Sequence, residues 1–344
     1  MNIIFTGGGT GGHLVIALSL AQAALARGHR VVFIGSTSGQ DRQWFGNSAL
    51  FEETHFLDTT GVVNKKGLGK LVALWKIFKA VLKSREIIRG FNADAVVSVG
   101  GFSAAPAAIA SLSLRTPLTI HEQNAVTGKL NSLLRPYSKG FYSSYEEAEN
   151  HCDYPVSEIY FQNARTRYEV KTVIFLGGSQ GAKFINDLAL EIAPWLDERG
   201  IHIIHQCGAK EEERVRHAYH ALSIDVEVYG FTTNIAELIA RSDFAISRSG
   251  ASTLWELCAA RVPAFYIPYP SAAADHQYHN ARYVIDHNAG WCERQGEGMV
   301  EKLKEAIMSD IQIKSEALGK LIVPDGAKKI IEKIENLSQC LHAL

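Results

Sequence analysis

Residues 3–13 read Ile3-Ile4-Phe5-Thr6-Gly7-Gly8-Gly9-Thr10-Gly11-Gly12-His13, and residues 171–182 read Lys171-Thr172-Val173-Ile174-Phe175-Leu176-Gly177-Gly178-Ser179-Gln180-Gly181-Ala182. Each is a short apolar run that breaks abruptly into glycines. An unalternated run of this kind suits a parallel strand covered on both faces. Glycines directly after it mark a tight strand-to-helix turn. The second stretch restarts the pattern of the first, so two successive Rossmann-like halves are predicted.

Working outward from the first opening, residues 13–26 follow a helical pattern stopped by Arg27-Gly28. Strands are predicted at 30–34 and 95–99, the latter again ending in glycines. After the second opening they are predicted at 201–205, 226–229, 244–247 and 264–267. Alternating strands and helices imply an α/β chain of two doubly wound parallel-sheet domains facing a central cleft. The polar stretch at 160–169 sets the boundary, giving a first domain of 1–163 and a second of 164–325. Residues 326–344 are helical in pattern, follow Val323-Pro324-Asp325, and could return to pack on the first domain.

A chain of 344 residues, 47% apolar and 21% charged, has material for two cores. Its net charge of −1 does not point to nucleic acid. The five cysteines show no CxxC spacing, so neither a disulfide framework nor a zinc site is expected, and a reducing cytoplasm fits. Met1-Asn2-Ile3-Ile4-Phe5 runs straight into glycines and reads as a strand, not a signal peptide. No stretch approaches the ~18 apolar residues of a spanning helix.

Gly7, Gly9 and Gly12 satisfy GxGxxG between a strand and a helix. Such glycines let a backbone approach a phosphate, and the helix start offers N–H groups and a positive dipole end. A tight turn without a ligand is the plainer explanation of one such loop. Yet Gly100-Gly101-Phe102-Ser103 and 177–182 repeat the arrangement at the strand ends where open α/β sheets bind ligands. A nicotinamide or flavin cofactor would need an acid at the end of the second strand. That strand instead ends in Gly35-Ser36-Thr37-Ser38, with Asp41 several residues late. No GxxxxGK[ST] loop occurs. His13 lies in the first helical turn, where the dipole disfavours a protonated imidazole and suits it to general-base work.

In the second half, Ser249, Gly250 and Ser252 resemble a capped helix start, an anion site suited to a diphosphate. Glu256 could accept two ribose hydroxyls, or could simply pair with the helix dipole. Gln277 and Asn280, three apart, share a helix face and suit sugar hydroxyls, unless they only cap or solvate that helix.

Gly8-Gly9-Thr10-Gly11-Gly12-His13, Gly100-Gly101-Phe102, His121-Glu122-Gln123-Asn124, 177–182, Arg248-Ser249-Gly250-Ala251 and His276-Gln277-x-x-Asn280 occur in that order over nearly the whole chain. Together they resemble the signatures of the MurG family of N-acetylglucosaminyltransferases. The resemblance implies a GT-B fold with UDP-N-acetylglucosamine as co-substrate donor and no tightly bound cofactor or metal. It implies the undecaprenyl-pyrophosphoryl-MurNAc-pentapeptide lipid I as acceptor, attacked with inversion by the MurNAc 4-hydroxyl to give lipid II and UDP. By similarity Phe231 and Thr232 flank uracil, Glu256 takes the ribose, and Ser179, Gln180, Ser249, Gly250, Ala251, Ser252 and Thr253 surround the diphosphate and sugar. Gln277 and Asn280 address the sugar hydroxyls. Thr10, Gly11, Gly12 and Asn124 complete the donor set. Gly8, Gly9, Gly100, Gly101 and Phe102 lie near the acceptor pyrophosphate, and His13 is the base. The chain departs from the family at Ile16, where proline is usual, and at Phe161-Gln162-Asn163-Ala164-Arg165-Thr166-Arg167, where a GNPVR-like motif is poorly kept. No site is carried across to Arg165 or Arg167.

Residues 65–89 carry eight Lys or Arg against Glu86 alone. Leu71, Trp75, Phe78 and Leu82 follow helical spacing among Lys76, Lys79 and Lys83. Such a helix can lie in an anionic membrane interface, or its apolar face can be buried in the first domain. The resemblance favours the membrane and implies a peripheral protein on the cytoplasmic face of the inner membrane, with roles in cell shape and division and cell-wall synthesis proteins as possible partners. Rival readings are a diacylglycerol glycosyltransferase, a UDP-GlcNAc 2-epimerase, a dinucleotide-dependent oxidoreductase and a non-catalytic binding module.

Overall fold

The computed structural model describes residues 1–59, 68–146, 148–177 and 182–342. The chain forms two units, Met1–Pro155 with Asp325–Leu344, and Val156–Pro324.

In the first unit the order is β1 (Asn2–Thr6), α1 (Gly11–Ala26), β2 (Arg30–Ser36), α2 (Asp41–Phe45), β3 (Glu53–Leu57), α3 (Leu68–Gly90), β4 (Ala95–Ser98), α4 (Ala105–Leu114), β5 (Leu118–Glu122), α5 (Lys129–Leu134) and β6 (Gly140–Ser143). The strands pair in parallel in the order β3-β2-β1-β4-β5-β6. Ile3, Ile4 and Phe5 in central β1 are fully buried, which is why that run carries no polar alternation.

The second unit runs α6 (Glu158–Gln162), β7 (Thr172–Leu176), α7 (Lys183–Asp197), β8 (His202–Gln206), α8 (Glu212–Leu222), β9 (Glu227–Tyr229), α9 (Ile235–Arg241), β10 (Phe244–Ser247), α10 (Ala251–Ala259), β11 (Ala264–Tyr266), α11 (His276–Asp286), β12 (Trp291–Cys292), α12 (Met299–Ile307) and α13 (Gln312–Leu321). Its sheet, in the order β12-β11-β10-β7-β8-β9, is also wholly parallel. The chain crosses into this unit at Val156, earlier than the 163/164 division, because α6 packs against α9 and α10.

The last helix, α14 (Gly326–His342), belongs to the first unit and packs on α1. Ile330, Ile331 and Ile334 supply a buried face, and each such side chain contributes about 1.5–3 kcal/mol. At its edge Arg27 pairs with Glu332 at 2.9 Å and Glu335 at 2.7 Å, and His29 meets Glu335 at 2.5 Å. The Arg27 guanidinium draws the Glu335 carboxyl down to about 2. No helix among the described residues is long and apolar enough to cross a membrane.

Candidate active site

The loops of the first unit that follow β1, β4 and β5 are neighbours, because those strands are adjacent and parallel. They interlock through backbone. The Gly8 amide donates to the Gly100 carbonyl at 3.1 Å. A Cβ on Gly7 would stand 2.5 Å from the Gly100 oxygen, and one on Gly101, whose φ is +81°, would stand 2.2 Å from the Gly8 oxygen. A side chain on Gly9 would strike the Phe102 ring. These glycines are therefore demanded by contact of one loop with the next. Asp41, fully buried, accepts from the Gly9 amide at 2.5 Å and the Ser36 amide at 2.8 Å. The acid that stands too late to bind a ribose thus clamps the first glycine loop.

Thr10 is the N-cap residue of α1 in extended conformation, but its side chain makes no cap bond. Its hydroxyl instead meets His13 Nδ1 at 3.0 Å, while Gln123 Nε2 lies 2.9 Å from His13 Nε2. The imidazole is thus held at both nitrogens, with the Nδ1 contact on the exposed side. Glu122 organises the loop beyond β5. Its carboxylate accepts from the amides of Asn124 at 3.0 Å and Gly128 at 2.9 Å, and from Asn131 Nδ2 at 2.8 Å. Sequence reading quoted Glu122 and Gln123 but gave them no role.

Buried polar atoms without a hydrogen-bond partner gather here: Gln123 Oε1, Asn131 Oδ1, Ser103 Oγ and both His121 ring nitrogens. Such atoms are what ordered water or a polar ligand satisfies. Burial, with His13 nearby, draws His121 down to about 3, so its imidazole is neutral.

In the second unit the loops after β9, β10 and β11 carry the described donor candidates; Ser179 and Gln180 lie outside the described residues. Phe231 is 68% exposed, a ring available for stacking, and Thr232 Oγ1 accepts the Asn234 amide at 3.0 Å. Gly250 is the N-cap residue of α10, extended and without a side-chain cap bond, with Ala251, Ser252 and Thr253 in the first turn and no acid among them. Beside it, buried Ser249 has an unpartnered hydroxyl. A helix start with no cap and no acid, next to an orphaned hydroxyl, suits an anion.

Arg248 carries positive charge to this place. It donates to the Ile267 carbonyl at 2.9 Å and the Pro268 carbonyl at 3.1 Å, and packs on the Tyr269 ring. Asn280 is fully buried and donates to the Ser249 carbonyl at 3.2 Å, so it braces the loop. Gln277 keeps some exposure and accepts the Tyr269 amide at 2.9 Å. Glu256 lies one turn further along α10, and burial pushes its carboxyl up to about 7.

Arg167 has no ligand-facing part. Its fully buried guanidinium donates to the Ser242, Ala240, Arg165 and Ala260 carbonyls, joining the C-terminal ends of α9 and α10. Arg165 pairs with Asp243 at 2.6 Å.

On α3 the inner face is Ala73, Ala80, Ile87 and Ile88. Leu71, Trp75, Phe78 and Leu82 are 64%, 56%, 51% and 47% exposed, so burial of that stripe within the domain is not its explanation. Trp75 stacks on Phe78 at 5.6 Å, with Lys79 over its ring. Lys76 and Lys83 flank the stripe in ion pairs with Asp58 and Glu86. Lys65 and Lys66 lie outside the described residues.

Two doubly wound parallel sheets, each with polar loops at its strand ends, form the two-domain α/β architecture in which many glycosyltransferases are built. The family model of the glycosyltransferase family 28 N-terminal domain matches residues 3–143, and that of the C-terminal domain matches residues 172–332. A relative from Sulfurimonas denitrificans, named UDP-N-acetylglucosamine–N-acetylmuramyl-(pentapeptide) pyrophosphoryl-undecaprenol N-acetylglucosamine transferase, is 54% identical over 97% of this chain and 98% of its own length. One of the same name from Sulfurovum is 49% identical over 98% of this chain and 100% of its own. The crystal structure of Acinetobacter baumannii MurG superposes with a TM-score of 0.77 at 25% identity, covering 97% of this chain and 99% of that one. The chain belongs to this family of N-acetylglucosamine transferases within glycosyltransferase family 28.

Proposed function

We propose that the chain transfers N-acetylglucosamine from UDP-N-acetylglucosamine to the MurNAc 4-hydroxyl of undecaprenyl-pyrophosphoryl-MurNAc-pentapeptide, releasing UDP and making the lipid-linked disaccharide of peptidoglycan synthesis. The observation that carries this reading is the 54% identity, over 97% of the chain, to a transferase bearing that name. The first unit takes the acceptor and the second takes the donor.

His13, oriented by Thr10 and Gln123, accepts the proton of the 4-hydroxyl as that oxygen attacks the anomeric carbon. The glycosidic bond forms on one face of the sugar as the bond to UDP breaks on the other, which inverts the centre. The departing diphosphate gathers negative charge, and the start of α10 with Ser249 and Arg248 stabilises it. Glu256 accepts the ribose hydroxyls and Phe231 stacks on uracil. Glycine loops beside the unpartnered polar atoms of the first unit receive the acceptor pyrophosphate.

The stripe on α3 lies in the anionic membrane leaflet that holds the acceptor's tail, making the protein peripheral to the cytoplasmic face of the inner membrane. Roles in cell shape and division, and association with other cell-wall synthesis proteins, follow from that place.

UDP release from UDP-N-acetylglucosamine, measured with and without a lipid I analogue, tests the reading. Acceptor-dependent release with a GlcNAc-extended product supports it. Turnover of another glycolipid instead, or conversion of UDP-N-acetylglucosamine alone as a 2-epimerase would perform, overturns the acceptor assignment.

A further inference from the structure

We propose that Gln123 is a positioning residue for the proton transfer: its side-chain oxygen takes the Nε2 proton of His13, so that Nδ1, beside Thr10, is the nitrogen that receives the proton of the acceptor hydroxyl. The inference deepens the reading of His13 given above and rests on it.

The two ring nitrogens of His13 stand in different surroundings. Nε2 faces inward, with the amide of buried Gln123 at 2.9 Å. A Cβ on Gly100 would stand 3.4 Å from the same nitrogen, so the loop after β4 closes that edge of the ring. Nδ1 lies on the exposed side, 3.0 Å from the hydroxyl of exposed Thr10. A substrate hydroxyl arriving from solvent therefore reaches Nδ1 and not Nε2.

Work as a base then dictates what Gln123 must present. A neutral imidazole has one N–H and one lone pair, whereas an imidazolium has two N–H groups and no lone pair. With its amide nitrogen toward the ring, Gln123 donates into the Nε2 lone pair, and the outward Nδ1 carries the proton and can accept nothing. That orientation also leaves Gln123 Oε1 buried without a partner among the described residues, and it sets two donors face to face once the ring is charged. A half-turn of the planar amide exchanges its two ends with little change of shape. Oε1 then accepts the Nε2 proton and the Nδ1 lone pair points outward. When the 4-hydroxyl proton arrives at Nδ1 the ring becomes cationic, and its bond to Oε1 strengthens. The Thr10 hydroxyl can donate to the lone pair or accept from the N–H, so it serves both states.

The whole protein is labelled in its histidine ring nitrogens, and the His13 signals are assigned by their loss in His13→Ala. Nitrogen NMR of the neutral wild-type ring is expected to show the lone pair on Nδ1 and the proton on Nε2. Gln123→Glu, which can only accept, is expected to keep that tautomer, with kcat on a lipid I analogue within about fivefold of wild type at ~pH 8.5, since a carboxylate beside the ring raises its pKa. Gln123→Met removes the acceptor. It should move the lone pair to the inward Nε2, because an N–H left unsatisfied there is costly. It should also lower kcat about 10- to 100-fold with donor KM little changed.

A lone pair on Nε2 in the wild-type protein would overturn the inference, and that observation needs no variant to fold. So would wild-type kcat in Gln123→Met beside an inactive His13→Ala. Near-normal turnover in His13→Ala would overturn the base reading itself, and the inference with it, whichever nitrogen bears the proton.

Discussion

The two sheet edges are built on one plan and held together by different parts. In the first unit the loops after β1 and β4 lean backbone on backbone, Gly8 to Gly100 and Gly101 to Gly8, with Asp41 as a buried clamp. In the second unit the loops after β10 and β11 are held by long side chains: Arg248 on the 267 and 268 carbonyls, and Asn280 on Ser249. A Cβ added to Gly250 meets no atom within 4 Å, whereas one added to Gly101 overlaps a carbonyl oxygen. The same residue type therefore reports loop-to-loop contact on one edge and unfilled space on the other.

The largest effect should come from the base. His13→Ala is expected to lower kcat by about 10²–10⁴-fold with donor KM little changed, measured with a lipid I analogue. Near-normal turnover would remove His13 from that role and leave the first edge with binding alone.

The glycines separate the two edges most directly. Gly101→Ala should cost about 3 kcal/mol or more of stability, because a left-handed φ and a carbonyl overlap act together. Gly250→Ala, with φ at −63°, should stay within about 0.5 kcal/mol, and any effect should fall on UDP affinity. Equal melting temperatures for the two variants would break the comparison.

Each unit also buries a neutral histidine. His121 has no hydrogen-bond partner among the described residues, while His205 is bonded to Tyr219 and Asn186; burial holds both at about 3. The unfolded chain takes up these protons near pH 6.5, so stability is full above that value and falls as pH drops towards 3. Each histidine should cost about 2 kcal/mol at pH 5, read as acid-dependent unfolding in denaturant. A flat stability profile from pH 7 to 5 would contradict the buried neutral forms.

Glu256, raised to about 7 by burial, gives the donor edge its own pH dependence. Ribose binding favours the carboxylate, so UDP affinity should rise with pH and be about tenfold weaker at pH 6 than at pH 8. Glu256→Gln should flatten that profile.

The smallest effect on turnover belongs to α3. Trp75→Ser with Phe78→Ser should lower co-sedimentation with anionic vesicles while leaving kcat on a short-chain soluble acceptor near wild type. Unchanged vesicle binding would remove the membrane role from that stripe.

These central strands were legible in the sequence because both their faces are buried: the runs at 3–5, 31–34 and 244–246 are apolar without interruption, and each sits in β1, β2 or β10. The edge strand β9 was read at 226–229, but the edge strands β3 and β12 were not. Glu53–Leu57 is half exposed and polar in places, and Trp291–Cys292 is two residues long, so neither produces a periodic signal. The division of the chain was legible only to within several residues, since the polar stretch at 160–169 does not reveal that α6 packs against α9 and α10.

By itself the sequence determined the α/β class, the two restarted halves, the family, and which loops lie at the strand ends, because these depend on local apolar runs, glycine turns and motif order. Tertiary structure alone decided what each loop residue does. Asp41 meets Gly9, Gln123 meets His13, Asn280 meets Ser249 and α14 returns to α1 across long stretches of chain. No spacing rule encodes such contacts: they arise where parallel strands bring distant loops side by side, and a buried polar atom must take whichever partner the fold puts there.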